Sequence, residues 1–598
     1  HRAVFMAEYD YEQVAADAID AMEGQVCWPI EWFKEDLPLE TRDVSAMDTQ
    51  VAGMIQEFAH VPRFFETYTK PQLNETVELT AEPLAKWSVL VFADRMGYCK
   101  SIFENAPENR ISQMKVIEDC GSLTQDAVSR LVCEQKKGWD LIVFAVGIDP
   151  PDSNSVPDVI DQNAFVSRLY FWLLQEVQKA DKSKRLFTLV RGLFHEDKKT
   201  HMQAGLGITV SGTLFGMSNT ARIELEDVAI HFCDTEYLIA EASTIWARLA
   251  SEAFRVISFG HNAVRILESG RYVQRQVSSK EYEAASKDFP IPAEGVIAIS
   301  GGNGALGLVM GNWLVDKAIA QGVTGFSIEF LSRSAKISDM NLGLWEEIQV
   351  KASKIGVQVK QDKMDMSSQE GVDNFLKSVD GRLVGFIHSA GILQDAMLMN
   401  LTWEKFEAVF APKHYAALYL HDALERYSNP KLRFLWVFSS IAVYGSMGQT
   451  NYSGSNSFLD ALTRHRRAKG RPSMAVQWGA WGDVGMAATM NESMRARMQA
   501  SPLPYFSNAE GIKGLECGLA SGLPYFSVFK FNPKFMLQAV QPDSNTNECY
   551  ARNFTSQFLP TPLPSSLDEK QLYTLFRMTY GGQSSPAFQG GERKVYDA

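Results

Sequence analysis

Residues 296–307 read Val-Ile-Ala-Ile-Ser-Gly-Gly-Asn-Gly-Ala-Leu-Gly. A short apolar run, Val296–Ile299, flows into glycines, and the glycines open a segment of helical character, Ala305–Ala320. Gly302, Gly304 and Gly307 stand at G-x-G-x-x-G spacing. Strand, tight turn and helix in that order suit a dinucleotide. Residues without Cβ let the backbone approach a pyrophosphate, and the helix N-terminus offers N–H groups to the anion. Gly301, Gly302, Asn303, Gly304, Ala305, Leu306 and Gly307 are therefore the candidate phosphate cradle. The competing reading is a plain strand-to-helix turn, and the rest of the chain decides between them.

Downstream, strand-like runs recur at the spacing of an α/β unit. Gly325–Leu331 ends in Ser332-Arg333-Ser334, where a dinucleotide fold meets the adenosine ribose. An acidic residue there would accept bonds from a 2′-hydroxyl; Arg333 with Ser332 and Ser334 suits a 2′-phosphate, so NADPH is expected over NADH. A solvated surface arginine is the alternative. The next strand ends at Asp365 and Met366, where a carboxylate can receive the adenine amino group. Leu383–Ile387 then runs into His388, Ser389, Ala390 and Gly391, small enough for a cofactor to cross the strand ends.

Upstream, Ser88–Ala93, Leu141–Val146 and Leu186–Val190 read as strands, with a helix at Phe165–Lys179 before the third. This is a second βαβ rhythm. After its first strand stands Asp94-Arg95-Met96-Gly97-Tyr98-Cys99, with one glycine where a binding loop needs several. The unit is expected to be Rossmann-like, truncated and non-binding; a redox role for Cys99 is the alternative. Residues 253–280 suggest a strand, a turn and a strand. The expected fold is thus α/β with two Rossmann-like, doubly wound parallel-sheet subdomains. They divide the chain into an N-terminal linker or docking region at 1–85, a first subdomain at 86–285, a second at 286–540 and a polar C-terminal linker at 541–598. Helices are expected at Tyr11–Met22, Met54–Phe65 and Ala509–Ala520, and a last strand at Tyr525–Phe531.

The 598 residues are 45% hydrophobic and 22% charged, an ordinary globular balance too long for one core. A formal charge of −13 argues against nucleic acid, which needs a basic excess. Seven scattered cysteines without a C-x-x-C pair argue against a disulfide framework or a metal site, and for a reducing, cytoplasmic setting. No apolar run reaches membrane-spanning length. The chain opens His-Arg-Ala-Val, without a signal-peptide core, and reads as a piece of something longer.

Candidate chemistry follows the strand Arg433–Phe438, which runs into Ser439 and Ser440. Tyr452 and Asn456 stand i, i+4 on one face of the helix that ends near Ala468. A tyrosine is a poor acid near neutrality, and a nearby ammonium would lower its pKa enough to protonate a developing alkoxide. A serine hydroxyl would bind the same oxygen. Alternatively, Tyr452 and Asn456 are a helix-start residue and a packing amide.

The run Phe438-Ser439-Ser440 … Gly448-Gln449-Thr450-Asn451-Tyr452 … Asn456-Ser457-Phe458-Leu459-Asp460-Ala461-Leu462 resembles the ketoreductase domain of modular polyketide synthases and animal-type fatty acid synthases, extended members of the short-chain dehydrogenase/reductase superfamily. So do His388–Asp395, Phe410-Ala411-Pro412-Lys413, and Gln477–Gly482 with Gly485-Met486-Ala487, which leads into the family's substrate lid at 487–500. The resemblance covers about residues 291–500, and the glycine-poor first unit resembles the family's structural subdomain. It implies Tyr452 as proton donor to a β-keto oxygen, Ser440 bonding that oxygen, Lys413 lowering the Tyr452 pKa and binding the nicotinamide ribose, and Asn456 where classical relatives keep their lysine. Ser440 precedes Tyr452 by one residue fewer than is usual in the family, so either the loop at 441–446 is shortened or Ser439 has taken the role; the strand pattern favours Ser440.

Asp395, Trp481, Gly485 and Met486 are implied on the substrate side. Leu393-Gln394-Asp395 keeps the last carboxylate of the Leu-Asp-Asp motif of D-alcohol producers, and Tyr444 stands nearest the tryptophan of the opposite class. The resemblance therefore implies NADPH-dependent reduction of a β-ketoacyl thioester on an acyl carrier protein, with a D (3R) product, beside neighbouring synthase domains. A fatty acid or polyunsaturated fatty acid synthase setting is the alternative within the class, and a silent scaffold domain the alternative outside it. No metal, nucleic acid or membrane is implied.

Overall fold

The computed structural model describes residues 27–35, 86–106, 110–180, 185–225, 227–254, 263–276, 288–483 and 503–530. The first group of strands is β1 (Cys27–Glu35), β2 (Trp87–Phe92), β3 (Ile111–Ile117), β4 (Leu141–Phe144), β5 (Arg185–Arg191), β6 (Ala229–Thr235), β7 (Ala263–Leu267) and β8 (Gly270–Gln276). The second is β9 (Gly295–Ser300), β10 (Phe326–Ser332), β11 (Gln358–Lys363), β12 (Leu383–His388), β13 (Phe434–Ser440), β14 (Met474–Trp478) and β15 (Tyr525–Val528).

The second group is ordered β11-β10-β9-β12-β13-β14-β15, every neighbouring pair parallel. Strand order reverses between β9 and β12, and the crevice beyond their carboxyl ends is where such a sheet binds ligands. The apolar run of β9 explains why it is central. Val296 and Ala298 enter one hydrophobic cluster, Ile297 and Ile299 the other, so both faces of the strand are covered by helices. Each fully buried Val or Ile there contributes roughly 1.5–3 kcal/mol.

The first group repeats the plan in shortened form, β3-β2-β4-β5-β6-β7 parallel and β8 antiparallel at the end. It is a Rossmann-like sheet with no strand beyond β3 among the described residues. Helix Ile245–Phe254 occupies the start of the region read from sequence as strand, turn and strand. Its apolar residues Leu249, Ala250, Ala253 and Phe254 face the core at helical spacing, and the hairpin begins at Ala263.

Within residues 1–85, β1 joins the two groups into one fifteen-stranded sheet. Cys27–Pro29 pair antiparallel with β15 and Ile30–Glu35 with β8. The helices expected at 11–22 and 54–65, the lid at 487–500 and the tail at 541–598 lie outside the described residues.

The halves also meet through two helices, Gly212–Glu224 of the first and Thr450–Ala468 of the second. Gly216 lies against the backbone of Ser453 so closely that a Cβ would fall 2.1 Å from its carbonyl oxygen. The Ser457 hydroxyl donates to the Gly212 carbonyl at 2.7 Å, and the Thr220 hydroxyl to Ser453 Oγ at 2.8 Å. No helix among the described residues is long and apolar enough to cross a membrane.

Candidate active site

The glycine turn sits at the reversal point. Gly301 adopts φ +68°, and a Cβ on it would meet the Ala390 backbone at 2.7 Å, so this loop and the one after β12 close on each other. A Cβ on Gly307 would strike Gly302 at 2.7 Å, which is why the helix Ala305–Gln321 can start directly above the strand end. Gly304 is exposed at the N-cap, and no side chain caps the helix, leaving its first N–H groups pointing into the crevice. Asn303 donates to Ser332 Oγ at 2.8 Å and to the Lys336 carbonyl at 3.1 Å, tying the turn to the end of β10. Its own Oδ1 is buried with no hydrogen-bond partner. Arg333 and Ser334 are exposed beside it. Anion-binding N–H groups, a cradle that side chains would fill and a cation at the ribose end fit a dinucleotide phosphate.

Asp365 is exposed at the end of β11, its Oδ1 accepting from Ser367 N and Oγ at 3.0 and 2.6 Å. Met366 is instead core, packed with Val372 and Phe375. His388 also turns away from the crevice. It is buried, with Nδ1 2.6 Å from Ser300 Oγ and Nε2 2.7 Å from the Lys413 carbonyl. Burial lowers its pKa to about 4, so the ring is neutral; Nε2–H donates to the carbonyl and Nδ1 accepts from the serine. The expected cofactor contact is thus a link between the glycine strand and the lysine segment. Ser389 bonds the Ser300 carbonyl through both N–H and hydroxyl.

Lys413 lies in a π-helical turn, Ala411–Tyr415, an irregularity common where a helix is bent to present a functional group. Its ammonium is buried, donates to the Phe438 carbonyl at 2.9 Å and sits 5.0 Å from the centre of the Tyr452 ring. Burial pulls its pKa down to about 7, against an opposing attraction from Asp460. Gly391 backs onto the ammonium, where a Cβ would stand 3.4 Å from Nζ.

Tyr452 is half-buried at the start of its helix, with its hydroxyl drawn by the side chains of Asn456 and Ser440. Burial raises its pKa and outweighs both, so the lowering expected from a neighbouring ammonium is not what this geometry yields. Ser440 Oγ accepts from Ala442 N at 3.1 Å and donates to the Trp478 carbonyl at 3.2 Å. Ser439 points the other way, into the core, donating to the Asn456 carbonyl at 3.2 Å. Asn456 Nδ2 donates to the Tyr452 carbonyl at 2.8 Å, while its Oδ1 is buried with no partner. Tyr452, Ser440, Lys413 and Asn456 therefore converge at the ends of β12 and β13.

At the mouth, Gln449 donates to Asp395 at 2.9 Å and Asn451 to the Gln394 carbonyl at 3.0 Å, fixing the loop at 393–395 against the helix start. Trp481 does not face this mouth. It is buried between Trp478 and Phe506, ring centres 4.9 and 5.0 Å away, and belongs to the core. Tyr444 is likewise buried, its hydroxyl donating to Gln477 at 2.9 Å. Gly485 and Met486 lie outside the described residues.

In the first half, Asp94 takes the place a phosphate would need. Its carboxylate accepts Tyr98 N at 2.8 Å and Cys99 N at 2.9 Å, capping the helix Tyr98–Glu104. The crevice above, about 310 Å3, is lined by Glu118, Asp119, Asp149 and Asp152 against one arginine, Arg95. Such a lining repels a pyrophosphate. Cys99 is buried and its thiol is pushed well up, so it stays protonated and lacks the thiolate a redox role requires.

A doubly wound sheet, a glycine turn at its reversal point and a Tyr–Ser–Lys–Asn group beside it define a reductase fold of the short-chain dehydrogenase/reductase kind, which uses a nicotinamide cofactor. Residues 295–483 match the KR domain family. The chain carries a ketoreductase domain of the modular polyketide synthase type. It is 31% identical over 280 residues to polyketide synthase GfsB of Streptomyces halstedii, covering 46% of this chain and 5% of that protein. It is 32% identical over 237 residues to a type I polyketide synthase of phenolphthiocerol synthesis from Mycobacterium marinum, covering 39% and 11%. The chain thus spans a small part of these relatives' length. In structure it resembles A-type ketoreductases from a modular polyketide synthase (TM-score 0.63, 18% identity, 92% of this chain and 99% of that one). It also resembles the first ketoreductase of the tylosin synthase (TM-score 0.60, 22% identity, 76% and 93%). At those identities the structures speak to the fold.

Proposed function

We propose that this protein reduces the β-keto group of an acyl thioester to the hydroxyl, with NADPH as reductant, a D (3R) product and an acyl carrier protein presenting the substrate on its phosphopantetheine arm. It does so in the cytoplasm, as one domain of a polyketide synthase among neighbouring synthase domains; the small share of its relatives' length supports that setting. The observation that carries the reading is Tyr452 with the Lys413 ammonium 5.0 Å from its ring and Ser440 at the end of β13, beside the glycine turn.

Gly301–Gly307 would hold the pyrophosphate and Ser332, Arg333 and Ser334 a 2′-phosphate, with Asp365 at the adenine. When bound, the nicotinamide supplies the hydride that the carbonyl carbon accepts. The raised pKa of Tyr452 keeps its hydroxyl protonated, and that proton passes to the carbonyl oxygen as charge gathers there. Ser440 donates a hydrogen bond to the same oxygen. The Lys413 ammonium stabilises the tyrosinate left behind. Asp395, bonded by Gln449 at the mouth, is the last carboxylate of the Leu-Asp-Asp motif that the resemblance associates with D alcohols, which supports the D product.

The test is NADPH oxidation with a β-ketoacyl thioester, free and carrier-bound, with Tyr452→Phe in parallel. Turnover is expected for the wild type and a fall of roughly 10²–10⁴-fold for the variant, with NADPH binding kept. Binding without turnover on either substrate would leave a silent scaffold domain.

A further inference from the structure

We propose that Glu224, in the first half, is a positioning residue for the substrate. Its carboxylate sets the spacing between the two loops that wall the mouth of the site, and with it how tightly the acyl chain is held and which face of its keto group is presented. This rests on the ketoreductase reading above.

Glu224 is the last residue of helix Gly212–Glu224. Its Oε2 accepts from Leu398 N at 2.6 Å and its Oε1 from Gly448 N at 2.8 Å. Leu398 opens the short turn Leu398–Asn400, just after Gln394 and Asp395. Gly448 stands in the loop between β13 and the helix that carries Tyr452. The two loops also meet directly, Ala396 N donating to the Gly448 carbonyl at 2.9 Å. Carboxylate, first loop and second loop thus close a ring of hydrogen bonds at the mouth. Beyond the ring, Gln449 and Asn451 carry the link through Asp395 and the Gln394 carbonyl to the residue before Tyr452.

Leu398 and Gly448 are both buried, so each N–H needs an acceptor from the protein. Two separate acceptors would satisfy the two groups and leave the loops free to shift apart. One carboxylate that takes both makes any change in their separation cost a charge-assisted bond. The first half grips these loops elsewhere too. Gln175 donates to the Leu398 and Leu401 carbonyls at 2.9 and 3.2 Å, and Thr220 Oγ1 accepts from Ser446 N at 3.2 Å. Those side chains each hold one loop; Glu224 holds both. A substrate that enters between the loops therefore meets a gap whose width is set from the first half, while Tyr452, Ser440 and Lys413 are held by bonds of the second half. Small displacements of groups that orient a substrate are costly, and the cost falls first on substrate binding and on the choice of face.

The experiment is steady-state reduction of a β-ketoacyl thioester by NADPH, with the enantiomeric ratio of the alcohol, for the full chain and for Glu224→Ala and Glu224→Gln. Glu236→Gln is the control, a carboxylate whose partners His195 and Glu268 both lie in the first half. Hydrogen exchange read by mass spectrometry over residues 394–400 and 445–449 follows the two loops without turnover. Glu224→Ala is expected to raise the KM for the thioester about ten- to a hundredfold, the worth of a bond to a charged group, and to leave kcat and the KM for NADPH close to wild type. The enantiomeric ratio should fall toward one. Exchange should rise in both loops while the helix at 450–468 stays protected. Glu224→Gln keeps the shape and one acceptor, so it should move the same quantities by less, and it carries the test if Glu224→Ala does not fold. A loss of kcat at unchanged thioester KM, the mark of a purely structural defect, overturns the proposal. So does a folded variant with thioester KM and enantiomeric ratio unchanged, exchange that rises in one loop alone, or an equal effect from Glu236→Gln. Absence of turnover in the wild type overturns the ketoreductase reading and the substrate role with it, whereas the exchange result bears on the link between the loops alone.

Discussion

Gly216 is where the first half lies against the backbone of the helix that carries Tyr452. A Cβ built on it falls 2.1 Å from Ser453 O and 2.4 Å from Ser453 C, the residue after Tyr452. Real Cβ contacts essentially never fall below 3.0 Å, so Gly216→Ala forces the two helices apart by at least 0.9 Å (3.0 − 2.1). Neither side can give locally, because both atoms belong to helical backbone and Ser457 bonds Gly212 and Gly216 across the same contact. Overpacking of this kind costs typically about 1–3 kcal/mol of stability. A displacement near 1 Å at a catalytic group costs about 10²-fold in rate. Gly216→Ala is therefore expected to lower the melting temperature and to cut kcat on a β-ketoacyl thioester by about two orders of magnitude, while NADPH binding at the glycine turn changes little. Gly343→Ala is the control: nothing lies within 4 Å of its Cβ, it is mid-helix, and the change should be neutral or stabilise by up to about 1 kcal/mol. A Gly216→Ala protein that melts and turns over like the wild type would refute the claim that the first half sets the position of Tyr452.

Two further outcomes follow from the same structure. Arg333→Ala should raise the KM for NADPH about tenfold or more and leave that for NADH nearly unchanged, because the proposed contact is with a phosphate only NADPH carries; equal effects on both would refute the assignment. His388 and His231 are each buried neutral, with pKa values lowered to about 4 from an ordinary 6.5, so their contribution to stability is present above pH 6.5 and lost as pH falls toward 4. Each costs up to about 3 kcal/mol at pH 4, and urea denaturation at pH 7 and pH 5 should show the loss beginning between those values.

The glycine turn is legible in the sequence because local chemistry alone dictates it. An apolar run buried on both faces, glycines where backbones meet and a helix behind them leave little choice, and the observed helix ends at Gln321, one residue beyond the expected Ala320. Side-chain direction is not legible. His388 follows a strand into the crevice in sequence, yet its ring swings back to join Ser300 and Lys413, a choice made by partners 88 and 25 residues away. Trp481 escapes a sequence reading for the same reason, since Phe506 and Trp478 together offer it more apolar contact than the mouth does. The Tyr452 pKa moves up rather than down because spacing says nothing of burial.

The two helices in contact at Gly216 hold equivalent places in their halves. Gly212–Glu224 connects β5 to β6, and Thr450–Ala468 connects β13 to β14, each crossing between the strands that follow the one after the reversal point. Units that share a topology and meet through the same element stand as the two partners of an isologous contact do. Such a contact brings like surface against like, and close approach then requires small residues on both sides: Gly212 and Gly216 on one helix, Ser453, Gly454 and Ser457 on the other. The first half therefore covers that face of the helix carrying Tyr452. In the first half a carboxylate, Asp94, satisfies the helix N-terminus from within the chain, and that half fixes the helix that carries Tyr452.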